Sequence, residues 1–175
     1  MNILITGGCG FVGSNIALNI KKTHPSFSVI AVDNLKRRGS ELNINRLLSV
    51  GIEFVHGDIR KAEDLDVAED IDLIIDAAAE PSVLAGLNGG TEYLYETNLT
   101  GTFNILNLAV KKKSKVIFLS TSRIYPIQNI LDSKIEETET RFQFAEESGV
   151  HGISSKGISE ELNLLGARTI YGTTK

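Results

Sequence analysis

The stretch LITGGCGFVGSN carries glycines at positions 7, 8, 10 and 13 and runs from an aliphatic segment into a helical pattern. Gly8, Gly10 and Gly13 satisfy G-x-G-x-x-G, and Gly7, Gly10 and Gly13 satisfy the related G-x-x-G-x-x-G. A diphosphate can lie on such a turn because nothing but backbone stands in its way, while the helix packs closely on its strand. The helix N-terminus adds unpaired N–H groups and a partial positive charge. Asp33 closes the second aliphatic run twenty residues after Gly13, where a carboxylate accepts hydrogen bonds from an adenosine ribose. Its charge would repel a 2′-phosphate, so the expected dinucleotide is NAD. Arg37 and Arg38, in DNLKRRG, are the residues that would serve NADP instead.

Tyr171 and Lys175, in YGTTK, form a Tyr-x-x-x-Lys pair. A free tyrosine titrates near pH 10 and is a poor base at neutral pH. A lysine one helical turn away, together with a cationic nicotinamide, favours phenolate. Phenolate can remove a hydroxyl proton while hydride leaves the same carbon. The pair is common by chance, and its meaning rests on the glycine loop. Cys9 reads as a small loop residue that bound NAD would shield from alkylation. His24, His56 and His151 are far apart and show no metal-ligand spacing, so no metal is expected.

These residues need a frame. Five short aliphatic runs, at 2–6, 28–32, 53–56, 72–76 and 116–120, are nearly continuous in apolar character, as in parallel strands covered on both faces. Helical patterns separate them: Val12, Ile16 and Ile20, then Leu99, Phe103, Leu106 and Val110. The alternation predicts an α/β fold, a doubly wound parallel sheet of Rossmann type. Ligands of such sheets gather at the carboxyl ends of the strands. Asp58 and Ile59 follow the third strand there, Asp58 placed to receive an adenine amino group. Ala77, Ala78 and Ala79 follow the fourth, small enough for a flat cofactor to lie against them, and Asn98 sits on the next helix. Residues 123–170 are polar and glycine-spotted, and read as a long functional or disordered loop.

Taken together, TGGCGFVGS, VDNL, GDIR, NLTGTFNIL, STSRIY and YGTTK resemble the extended short-chain dehydrogenase/reductase family, in its NAD-dependent nucleotide-sugar epimerases and dehydratases. More narrowly, GGCGFVGSN, DNLKRRGS, HGDIR, STSRIYP and EETETRF look like the CDP-paratose/CDP-tyvelose 2-epimerase branch. The resemblance implies a pyrophosphate loop of Gly7, Gly10, Phe11, Val12 and Gly13. It implies ribose contacts from Asp33 and Asn34 and adenine contacts from Asp58 and Ile59. Ala77, Ala78 and Ala79 would line the cofactor, and Asn98 is the family's helix asparagine. Thr121 would be the catalytic hydroxyl, with Ser122 as the neighbouring alternative, beside Tyr171 and Lys175. Family dehydratases carry Asp-Glu directly after the threonine; here Ser122-Arg123 follows, which disfavours water elimination and leaves epimerisation. The implied substrate is a nucleotide sugar, with a CDP-sugar favoured, and the full-length relative would be a homodimer. A nucleotide-sugar reductase or 4-epimerase, and a non-catalytic NAD(H)-binding module, are the alternatives.

The family fold continues past Tyr-x-x-x-Lys, so residues 1–175 read as one NAD-binding domain, the N-terminal part of an enzyme whose sugar-binding part is absent. Such a chain is expected to leave the last strand with an open edge, to bind NAD weakly and to turn over no sugar. A net charge of -4 with scattered lysines gives no nucleic-acid footprint, and Lys111–Lys113 reads as a solvated helix end. One cysteine excludes an internal disulfide, and the apolar runs are too short for a bilayer. The expected compartment is the cytoplasm.

Overall fold

The computed structural model describes residues 1–87 and 89–175, which fall into two compact units: 1–119 with Thr174, and 120–173 with Lys175. In the first unit, strands β1 (Asn2–Thr6), β2 (Ser28–Asp33), β3 (Glu53–His56), β4 (Leu73–Asp76) and β5 (Lys115–Phe118) form one sheet in the order β3-β2-β1-β4-β5. Every pairing is parallel. The expected doubly wound sheet is therefore present, with β5 at its edge.

Alternation along each strand feeds two cores. Leu4, Val32 and Ile74 pack on one face with Ile105 and Leu108, whereas Ile3, Ile5, Ala31 and Ile75 pack on the other with Ala17 and Leu47. The helices supplying these covers are α1 (Phe11–Thr23), α2 (Ile44–Leu48) and α4 (Thr102–Lys112), the last preceded by α3 (Thr91–Tyr95) and a π-helical turn over Glu96–Gly101. The central strand β1 lies between β2 and β4, so the chain leaves it first to one side and later to the other. That reversal opens a crevice at the carboxyl ends of β1 and β4. Register places Thr6 opposite both Val32 and Asp76, which brings the ends of three strands level.

The helical pattern of Leu99, Phe103, Leu106 and Val110 falls on the exposed side of its helical segment, Val110 at 80%, whereas Ile105, Leu108 and Ala109 are buried. Both faces of this helix are apolar, so periodicity alone could not choose between them. Residues 123–170 are not a structureless loop. The second unit holds α5 (Ile127–Asp132), an antiparallel pair β6 (Ile135–Glu137) and β7 (Phe142–Phe144), a smaller pair β8 (Ile153–Ser154) and β9 (Gly157–Ile158), and α6 (Ile170–Thr173). Ala145, Ile153, Leu162 and Tyr171 are buried in it, and the Ser148 hydroxyl donates to the Ile153 carbonyl at 2.7 Å. Among the described residues, no helix is long and apolar enough to cross a membrane. Lys111 and Lys112 do close α4, and both pair with Asp66, at 2.6 and 2.7 Å.

Candidate functional site

The turn between β1 and α1 is fixed by backbone bonds: Gly8 N–H donates to Val32 O at 3.1 Å and Gly10 N–H to Gly7 O at 3.0 Å. Gly7 turns the chain with φ of 62°. Gly13 is where helix meets loop, and a Cβ there would lie 2.2 Å from Gly7 O. Asp33 anchors the same turn. One of its oxygens accepts from Cys9 N–H at 3.0 Å, the other from Leu35 N–H at 2.8 Å. Asn43 Nδ2 donates to Cys9 O at 2.8 Å.

Cys9 itself is fully buried among Ala17, Ala31 and Leu47. Burial, with the Asp33 charge adding, pushes its thiol up to about 12. The expected shielding by bound NAD is therefore superseded, because the protein's own core already encloses the sulfur.

The loop opens into a cleft of about 530 Å³. Gly7, Gly10, Phe11, Val12, Gly13, Asp33, Asn34, Ile59, Ala77, Ala78 and Ala79 all line it. Asp58 and Asn98, expected at the cofactor, are not among its lining residues. Asp58 accepts from Arg60 Nε and Arg60 Nη2, the latter at 2.7 Å, and from Asn34 Nδ2 at 3.1 Å. The Arg60 hydrogen bonds, more than those from Asn34, hold its carboxyl well below the usual carboxylate range. Asn98 is 2% exposed; its Oδ1 accepts from Glu80 N–H at 2.9 Å and its Nδ2 donates to Thr174 Oγ1 at 3.1 Å. Asp76, also buried, accepts from the Thr6 hydroxyl at 2.7 Å and from Ala78 N–H, which sets the course of the alanine segment.

Residues not given a site role by the motifs share the cleft: Lys36 and Ser40 of DNLKRRGS, and Tyr93 and Thr97, beside Arg37. Arg37 was foreseen only as a phosphate ligand. Tyr93 and Thr97 carried no sequence signal, since both lie in a helical stretch whose visible pattern was apolar. Thr97 Oγ1 is buried and has no hydrogen-bond partner among the described residues.

Thr121, Tyr171 and Lys175 belong to the second unit. Thr121 caps the turn Ser122–Ile124, its hydroxyl accepting from Arg123 N–H at 3.3 Å. The helix α6 packs on that turn so closely that a Cβ on Gly172 would lie 2.0 Å from Arg123 O. Tyr171 is 7% exposed. Lys175 lies beyond the last helical residue, Thr173, and its carbonyl accepts from Ser120 Oγ at 3.1 Å.

A glycine loop, a cleft at the switch point of a parallel sheet and an acid at the end of β2 are the elements of a dinucleotide-type site. The model of the NAD dependent epimerase/dehydratase family matches residues 3–154. The chain belongs to this family. NAD is the cofactor after which the family is named. Among its curated members, the chain is similar to CDP-paratose 2-epimerase of Salmonella typhi, 35% identical over 148 residues, which are 81% of this chain and 42% of that protein. Among solved structures of the family, it is similar to dTDP-glucose 4,6-dehydratase from Bacillus anthracis in complex with NAD. The TM-score is 0.68 at 26% identity, covering 100% of this chain and 47% of that one. UDP-glucuronic acid 4-epimerase from Bacillus cereus shares the fold, with a TM-score of 0.71 at 24% identity over 100% of this chain and 49% of that chain. The chain spans less than half the length of these relatives.

Proposed function

We propose that this chain is the NAD-binding part of an epimerase that acts on a nucleotide-activated sugar. The observation that carries the reading is that the glycine loop, Asp33 and the alanines after β4 line one cleft at the sheet's switch point. The cleft suits NAD by its bare-backbone turn at Gly13 and by the buried Thr97 hydroxyl, which has no partner among the described residues. On this reading Gly7, Gly10, Gly13 and the backbone of Phe11 and Val12 hold the diphosphate. Asp33 and Asn34 hold the ribose and Ile59 the adenine edge, with Asp58 fixing Asn34 and Arg60 beside them, and Ala77, Ala78 and Ala79 leave room for the remainder. Asn98 fixes the Glu80 backbone beside them.

NAD, when bound, supplies the acceptor and donor of hydride. The chain's own residues handle the proton. Tyr171 takes it from a sugar hydroxyl, Lys175 lends the positive charge that favours phenolate, and Thr121 donates a hydrogen bond to the developing carbonyl oxygen. Ser122-Arg123 supplies no acid–base pair for water elimination, which favours epimerisation over dehydration. Similarity to CDP-paratose 2-epimerase favours a CDP-sugar. The exposed stripe of Leu99, Phe103, Leu106 and Val110 suits a helix-to-helix contact between two copies and supports a homodimer.

Calorimetric titration of the chain with NAD, NADP and NADH tests the cofactor reading, and NAD is expected to bind more tightly than NADP. Failure of NAD to bind refutes it. We infer that residues 1–175 alone bind NAD without turning over a sugar. In a protein that carries the sugar-binding part, Tyr171→Phe is expected to cut turnover by a factor of about 100 or more with NAD affinity retained. Net NADH formation by the unsubstituted enzyme would instead indicate a dehydrogenase.

A further inference from the structure

Tyr93 lies outside every motif, yet it lines the cleft, half-buried, from α3. Two cations hold its ring. Lys36 Nζ, from the loop after β2, is 4.3 Å from the ring centroid, and Arg60 Cζ, from the loop after β3, is 4.9 Å from it. Arg60 is itself fixed, by Asp58 and, at 3.0 Å, by Glu96. Two separate segments therefore converge on an aromatic ring carried by a third, and the ring's position is set before any ligand arrives.

The end of the cleft to which this ring belongs is also determined. Lys36 follows Asp33 by three residues, Asn34 Nδ2 donates to Asp58, and Gly57 N–H donates to Asp33 O at 3.2 Å. Gly57, Ile59 and Tyr93 thus border the cleft together with the ribose acid and the loop that follows it. Resting on the reading that NAD occupies this cleft, we propose that Tyr93, held by Lys36 and Arg60, is the stacking platform for the adenine ring and a determinant of cofactor affinity. A purine stacks on an aromatic face through its π surface, and a platform already immobilised by cation–π contacts loses little side-chain freedom on binding. Thr97, one helical turn on, adds a buried hydroxyl on the same wall.

The chain contains no tryptophan, so tyrosine emission reports directly on its tyrosines. Wild type, Tyr93→Leu and Tyr93→Phe are titrated with NAD, ADP-ribose and nicotinamide mononucleotide by calorimetry and by fluorescence. Thermal unfolding confirms that each variant is folded. Tyr93→Leu is expected to weaken NAD and ADP-ribose alike, by roughly tenfold, and to leave the mononucleotide unchanged. Tyr93→Phe keeps the platform, so its affinity stays within about twofold of wild type, but the quench of tyrosine emission by ADP-ribose disappears. Equal binding of ADP-ribose by wild type and Tyr93→Leu, or a quench that survives Tyr93→Phe, overturns the proposal and leaves the NAD reading standing. No binding of NAD or ADP-ribose by wild type refutes that reading and the proposal together.

Discussion

Gly13→Ala sets two familiar effects against each other. Alanine is the better helix former, and inside a helix the exchange is worth about 1 kcal/mol. Position 13 lies in the first turn of α1, so a propensity argument alone predicts a more stable protein. The structure predicts the opposite. The new Cβ would sit 2.2 Å from Gly7 O, 2.9 Å from Gly7 C and 3.0 Å from Gly8 Cα. An ordinary carbon–oxygen contact is about 3.4 Å, so helix or loop must move by roughly 1 Å. The obstacle is backbone, and that backbone is tied to β2 through Gly8 and through Asp33. Overpacking of this kind costs about 1–3 kcal/mol, and a tethered obstacle belongs at the upper end. Subtracting the helical gain leaves about 2 kcal/mol of destabilisation, or roughly 30-fold in the folding equilibrium. Urea unfolding should show a lower midpoint at unchanged slope, and calorimetry should show weaker NAD binding because the diphosphate turn has shifted. Gly10→Ala is the comparison, since its nearest obstruction is Gly7 O at 3.1 Å. A Gly13→Ala chain as stable as wild type, with the same NAD isotherm, would refute the reasoning.

Cys9 should resist iodoacetamide in the native chain whether or not NAD is added, and should react fully in denaturant, because burial encloses the sulfur and raises its thiol to about 12. Rapid native alkylation would contradict this. Asp58 has a carboxyl depressed below its unfolded value, chiefly by Arg60, so the stability it contributes is complete above about pH 4 and is lost as pH falls through its folded value. Asp58→Asn should therefore be less stable than wild type at neutral pH and lose less stability on acidification below about pH 4. Parallel acid-denaturation curves would rule this out.

The sheet could be read from the chain because its strands are covered on both faces and are therefore continuously apolar, as ILIT and VIAV are. The glycine loop could be read because its chemistry demands one residue type at fixed offsets. Other features had no comparable signal. In TFNILNLAVKK both Phe103 and Ile105 are apolar, and which one meets the sheet depends on the π-helical turn just before it. Strands as short as Ile135–Glu137 and Ile153–Ser154 contain too few residues for an alternation to register. The Tyr93 cluster draws Lys36, Asp58, Arg60 and Glu96 from three loops and helices, so only the fold assembles it.

Asp33 illustrates why motif residues resist a single label. Its carboxylate, the proposed ribose acceptor, already takes one backbone N–H on each oxygen, from Cys9 and from Leu35. Each oxygen retains a lone pair for a ribose hydroxyl, so the two tasks are compatible. They are also inseparable by truncation. Asp33→Ala would free the ribose subsite and simultaneously leave the Cys9 N–H, part of a fully buried residue, without its acceptor. A fall in NAD affinity would then report loop distortion as much as a lost ribose contact. Asp33→Asn separates the two, because its side-chain oxygen can still accept from one N–H while the full negative charge that opposes a 2′-phosphate is gone. If charge is what selects NAD, this variant narrows the gap between NAD and NADP; if loop geometry is what matters, both affinities fall together.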